Sequence, residues 1–368
     1  MKNMLTIVTT MMLMSLNASV AMSRETYIAP EPVSRIKNHI TVCVHPQVEL
    51  ISIVQAISNY PSILGFLMSD DPSEYKVAVF SHFQEFKEHP AVKMFDRLSS
   101  QPRMLNFSAP SNVMLYTDNK LQLREDVVLD NFVLNRAGGP DSLAVFLELL
   151  RDFATLSSFN EFYQKNKDYY LSIINSATDN LGTRNYISEL EAFYGKKQKS
   201  YNMILVSLYK AVGFGNSLLH TDNTYDLYNT MGPLRVENNV PFFGDESYLK
   251  YMIRHEFSHP FINPVTEKYW DEIKSCSANF DSIPETARKN MCGDWQECIN
   301  EFMIRAITTH IAYNEAEEAG AWAYEKEKSK GVSCIDNLLS KINHYQANRE
   351  TYPTFESYYL KILDTFKE

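Results

Sequence analysis

Within residues 245–260, DESYLKYMIRHEFSHP, two histidines stand four positions apart with a glutamate directly after the first: His255, Glu256 and His259. If the segment is helical, an advance of about 100° per residue leaves His255 and His259 roughly 40° apart on one face, so both imidazoles can reach one cation. Glu256 then lies about 100° round from His255. A carboxylate there can address a water on the cation without being a ligand itself. Zinc held by three protein groups keeps a fourth position for that water and lowers its pKa towards neutrality. Glu256 would take the proton as hydroxide attacks a carbonyl, and pass it to the leaving amine. The chemistry implied is metal-assisted hydrolysis. Two merely packed histidines are the alternative, but this helix is apolar nearly all round. Tyr248, Tyr251 and Met252 share the histidine face, and Leu249, Ile253 and Phe257 cover the far side. Burying two histidines and a glutamate is costly unless they pair or bind something.

A third protein ligand is needed. Residues 294–313 read as the next strong helix and offer Glu297 and Glu301. Its apolar arc is Trp295, Cys298, Ile299, Phe302, Met303, Ala306 and Ile307. Glu301 falls at the edge of that arc and Glu297 almost opposite its centre. A ligand must face inward, so Glu301 is expected to be the third ligand. Glu297 is left either orienting a histidine or solvated. Arg305, one turn after Glu301, could stabilise the oxyanion of a tetrahedral intermediate or fix the Glu301 carboxylate through a salt bridge. His220, His310 and His344 could each polarise a carbonyl, although His310 sits on the apolar face as a core histidine would. Ser258 and Cys298 have no base at a recognisable spacing. Without a Cys-x-x-Cys pair, a cysteine zinc site is not expected either. Pro260 directly follows His259 and deprives the Glu256 carbonyl of its helical partner, so the active-site helix should end or kink at His259.

A His-Glu-x-x-His helix joined by a glutamate from a later helix resembles the gluzincin branch of zinc metallopeptidases. More closely, the chain resembles the bacterial domain of unknown function 4932 family. That likeness rests on residues 45–50 (HPQVEL), 86–92 (FKEHPAV), 255–264 (HEFSHPFINP) and 300–306 (NEFMIRA). The resemblance implies a zincin-like fold and points again to Glu301 as third ligand. One departure stands out: 41 residues separate His259 from Glu301, well beyond the short spacing of thermolysin-like enzymes.

Such a site needs a frame. Asp245 can cap a helix starting at Glu246. Residues 39–44 (HITVCV) alternate as a strand, Pro46 ends it, and helical spacing follows over 48–59. Helices are also expected over 71–87 and 91–98, and a short strand over 112–116 (NVMLY). From Gly138-Gly139-Pro140-Asp141 to about 198 the pattern predicts a mostly helical insert. Asp141 would cap 142–155, with further helices over 159–178 and 186–193. Residues 201–209 (YNMILVSLY) read as a strand closed by a Gly213-Phe214-Gly215 turn. That strand is the candidate sheet edge above the cation, where an extended peptide could add as an extra strand. The fold class expected is α+β: one zincin-like metallopeptidase region over 22–368, with an active-site helix, a mixed sheet and the helical insert.

Residues 1–21 read as a signal peptide. Lys2 is the positive start, 4–16 is an uncharged apolar stretch, and Ser19-Val20-Ala21 supplies small residues at the cleavage site. Export to the periplasm or beyond the cell follows. No second apolar run is long enough for a membrane helix. A net charge of −10 in 368 residues, without a long basic cluster, argues against nucleic acid as the main partner. Five cysteines, four of them after residue 270, make a bridge there plausible and leave at least one unpaired within the chain. The expected function is an exported zinc metallopeptidase acting on peptides or proteins. Two alternatives stay open: a surface or binding protein with a structural zinc, and a zinc amidase acting on non-protein amides.

Overall fold

In the computed structural model, which describes residues 27–70 and 72–367, a five-stranded mixed sheet carries the molecule. The leader expected over 1–21 lies outside the described residues. β1 (Val33–Lys37) and β2 (Ile40–Val44) form an antiparallel hairpin. β3 (Ser200–Leu205) pairs parallel with β2. β4 (Gly213–Leu219) and β5 (Tyr225–Met231) form a second hairpin, and β5 pairs parallel with β3. The spatial order is therefore β1-β2-β3-β5-β4, with β4 at an edge.

Parallel pairing of β2 with β3 obliges the chain to leave the sheet and cross back. Residues 45–199 make that crossover, and the named elements within it are all helical. The switch to helix thus comes at Pro46, well before Gly138. Pro46 opens the helix Pro46–Ile57, where its missing N–H costs nothing. Residues 112–116, expected as a strand, belong instead to the helix Ala109–Leu115 and its C-cap, Tyr116. A short apolar run has no decisive period, and Pro110 in the first turn favours the helix. The first helix after Gly138 is capped by Gly139 at φ 93 with Pro140 at its start, which leaves Asp141 in the first turn. The stretch 159–178 divides at Asn166 into Phe159–Lys165 and Lys167–Asp179.

Two further corrections bear on the site. β3 ends at Leu205 and lies between β2 and β5, so it is a central strand and cannot accept a peptide. The Gly213-Phe214-Gly215 segment is the start of edge strand β4, not a turn. Glycines punctuate turns in most sequences; here they leave room for Met252, Glu256 and His259 to press against the strand.

After β5 the chain builds a helical layer. The candidate active-site helix Glu246–Glu256 packs on β4, β5 and the carboxylate helix Trp295–Glu315, and the helix His259–Lys268 packs on β4 and that same carboxylate helix. The Phe257 ring meets Tyr201 of β3 edge-on at 5.4 Å. The carboxylate helix buries Ile299, Phe302, Met303, Ile304 and Ile307, each large side chain stabilising the fold by about 1.5–3 kcal/mol. A Cys292–Cys298 disulfide ties its first turn to the preceding loop, while Cys43, Cys276 and Cys334 are free. Among the described residues no helix is long and apolar enough to cross a membrane.

Candidate metal centre

Asp245 starts the active-site helix as its sequence suggests, its carboxylate accepting the Tyr248 N–H at 2.9 Å. Eleven residues later the helix stops at Glu256, earlier than the proline alone requires. Phe257 and Ser258 form a turn, and His259 opens the next helix with Pro260 in its first turn. There the proline lacks only an N–H that would have had no helical partner. The break does not separate the histidines. Their ring centroids are 5.1 Å apart, at 83° to each other.

The carboxylate helix brings Glu301 between them. Its two oxygens lie 3.6 Å from His255 Nε2 and 3.4 Å from His259 Nε2. One donor atom from each of the three residues falls within 4.8 Å of the others. With bonds of about 2.0–2.1 Å, two ligands of a tetrahedral zinc stand roughly 3.4 Å apart. The Glu301–imidazole spacings and the two-nitrogen, one-oxygen set therefore suit such an ion, and imidazoles are poor partners for the hard cations that prefer all-oxygen cages. Burial alone would raise the Glu301 pKa, but His255, His259 and Arg305 hold it well below the usual carboxylate range. It stands ready as an anion.

Supporting contacts orient each group. His259 Nδ1 meets Asn263 Oδ1 at 3.3 Å, which leaves Nε2 for an ion. Tyr251, one turn before His255, stacks on its ring at 5.8 Å. Arg305 Nε and Nη2 both donate to Glu301 Oε2, at 3.0 and 2.8 Å. Its Nη1 donates to the buried Glu327 at 2.7 Å and to the Tyr251 hydroxyl at 3.3 Å. Of the two roles expected for Arg305, the salt bridge is the one this geometry makes. Glu297 is exposed and turns back to accept the Gly293 N–H at 2.7 Å. It shares a cleft with the histidines but, among the described contacts, bonds to the loop before the helix rather than to a histidine, the cap itself being Asp294.

Glu256 is 6% exposed and lies outside the three-residue set. Its carboxylate rests against β4: a Cβ on Gly213 would come within 2.9 Å of Oε1, and one on Gly215 within 3.0 Å of Oε2. These atoms line a cleft of about 520 Å³ together with Phe214, Asn263, Asn300 and Arg305. The other histidines lie elsewhere. His220 pairs with Asp226 at 2.5 Å, His310 is buried beside Asn314, and His344 stacks on Tyr358. Ser258 donates to the Arg254 carbonyl, and Cys298 is in the disulfide.

Sequence reasoning missed the roles of Gly213, Gly215, Asn263 and Glu327, and placed Tyr251 on the histidine face without a partner. Asn263 was within reach, one helical turn after His259. Glu327 was not, because nothing local links it to Arg305.

Gly215→Ala tests the tightness of this packing. The new Cβ would sit 2.5 Å from the Glu256 carbonyl oxygen and 3.2 Å from His259 Cδ2, so β4 and the histidine segment must part. A displacement near 1 Å can cost on the order of a hundred-fold in rate. We expect weakened zinc affinity and a comparable loss of any turnover, read by metal titration and peptide assay. Wild-type values for both would show that the contact is not constraining.

The family described as domain of unknown function (DUF4932) matches residues 40–365, a span that contains the whole site. Neither the curated proteins nor the solved structures gave a match.

Proposed function

The chain belongs to the family of domain of unknown function DUF4932, and we propose that its His255, His259 and Glu301 hold a catalytic zinc ion in an exported metallopeptidase of zincin-like, gluzincin type. One observation carries the reading: two imidazole nitrogens and a carboxylate converge within 4.8 Å of one another on a cleft, with a fourth group, Glu256, beside them but outside the ligand set. A zinc confined to a structural role has no use for that extra carboxylate.

Bound zinc would supply Lewis acidity and an acidified water. Glu256 is the proton carrier: buried, held against β4 and on the cleft wall, it can accept a proton from the attacking water and release it to the leaving nitrogen. Arg305 fixes the ligand carboxylate and also lines the cleft, so the oxyanion role stays part of the proposal. The substrate is an extended peptide. Edge strand β4 offers it main-chain groups on the side away from β5, beside Glu256, with Val128 already bonded to the far end at Leu219. Export rests on the leader pattern at residues 1–21.

The test is metal content and turnover of a quenched peptide library by the mature chain. About one zinc per chain is expected, with cleavage lost on chelation and restored by zinc. Zinc without any peptide cleavage would favour the structural-zinc alternative. Cleavage of non-peptide amides alone would favour an amidase.

A further inference from the structure

A second cavity, of about 490 Å³, lies beside the metal cleft, between the active-site helix, the C-terminal half of the carboxylate helix and the helix Glu317–Ser329. Its size falls in the range of small-molecule sites. Tyr248, Tyr251 and Trp322 supply aromatic walls, while Ala312, Ala319 and Ala323 are too short to fill it. Trp322 is 63% exposed at its edge, an unusual placement for so large an apolar side chain.

Among the described charged groups around this cavity, two carboxylates are paired with cations, one caps a helix, and one cation has no carboxylate partner. Glu315 is held by Lys250 at 2.7 Å and Arg254 at 2.9 Å. Glu327 is held by Arg305 at 2.7 Å and Lys330 at 3.4 Å. Asp245 caps its own helix. Lys326 has no carboxylate within ion-pair distance among the described residues. Its ammonium lies instead 3.7 Å from the centroid of the Tyr251 ring and 4.7 Å from that of Trp322. Two aromatic faces thus hold a cation at the wall of an apolar cavity. Burial, with Lys330 and Arg305 nearby, lowers the Lys326 pKa and Glu327 offsets only part of this, so an incoming anion would favour the charged ammonium.

We propose that this cavity binds a small apolar monocarboxylate, its body against Tyr248, Trp322 and the three alanines and its carboxylate on Lys326. A doubly charged phosphate fits less well. A single unmatched cation faces it, and Asp245, Glu315 and Glu327 in the same wall would repel the second charge. This site makes no use of the metal ligands and stands apart from the peptidase reading.

The test titrates the mature chain by calorimetry with 3-phenylpropanoate and decanoate, and with their uncharged amides. Titrations are repeated after chelation. We expect each acid to bind at least about ten-fold tighter than its amide, equally with and without zinc. Lys326→Met should abolish that preference while amide binding persists. Equal affinities for acid and amide would overturn the proposal, as would the absence of saturable binding or a preference that survives Lys326→Met. Acid binding that disappears on chelation would also overturn it by placing the carboxylate on the metal. The acid–amide comparison on the wild type needs no variant, so it decides the matter even if Lys326→Met misfolds.

Discussion

Glu256→Gln is expected to lower peptide turnover by roughly a hundred- to ten-thousand-fold, the usual contribution of a general base, while zinc content and thermal stability stay close to wild type. The substitution keeps size and hydrogen-bonding atoms but removes basicity. Those atoms matter here because the carboxylate is almost fully enclosed and packed against Gly213 and Gly215. A shorter or bulkier residue would confound chemistry with packing. Glu256 lies outside the ligand set, so metal affinity should be indifferent to the change. The measurement is paired, with zinc per chain and turnover determined for both proteins at equal concentration. A variant that cleaves as well as the wild type would remove Glu256 as the base and the mechanism with it. A variant that loses zinc along with activity would instead make Glu256 part of the binding site.

His255→Ala, His259→Ala and Glu301→Ala should each strip the chain of zinc, whereas Glu297→Ala should retain it. Each of the first three removes one corner of the 3.4–3.6 Å arrangement around Glu301. Two remaining donors leave an ion mostly in water. The loss should exceed the roughly 10–100-fold that removal of an orienting partner costs. Glu297 serves as the comparison because it is a carboxylate one turn earlier on the same helix, turned back on the Gly293 N–H. Metal titration of the four variants decides the third ligand. If Glu297→Ala releases zinc and Glu301→Ala does not, the assignment must be exchanged. Glu301→Ala also leaves Arg305 with Glu327 and Tyr251 as its partners, so a thermal melt should accompany the titration.

Much of the candidate metal centre could be read from residues close together in the chain. His255, Glu256 and His259 are brought together by the pitch of one helix and the turn that follows it. Asp245 caps that helix through the backbone three residues on, a purely local bond. Even the break near Pro260 is local, although it falls at Phe257 and Ser258 rather than at His259. The choice of Glu301 over Glu297 came from helical periodicity together with the family resemblance, and Glu301 is the carboxylate that lies 3.4–3.6 Å from the two imidazoles. Strand β2 and the longer helices of the crossover were likewise legible apart from their boundaries, whereas β1, residues 112–116 and the short helices Tyr60–Ile63 and Asn131–Arg136 were not.

What only the tertiary structure decided is which surfaces meet. The three glycine-flanked residues at 213–215 look like a turn because glycine tolerates turns. They form a strand because Gly215 pairs with Asn229 of β5 and its missing Cβ makes room for Glu256, 41 positions away in the chain. The strand at 200–205 looks suited to an edge, yet parallel partners on both sides make it central. The Arg305–Glu327 pair and the cavity around Lys326 depend on how the helix Glu317–Ser329 folds back over the active-site helix. Periodicity records which side of an element is apolar, because that is set by the spacing of its own residues. It carries no record of which neighbour covers that side, because the covering residues come from elsewhere in the chain and are chosen by the packing of the whole.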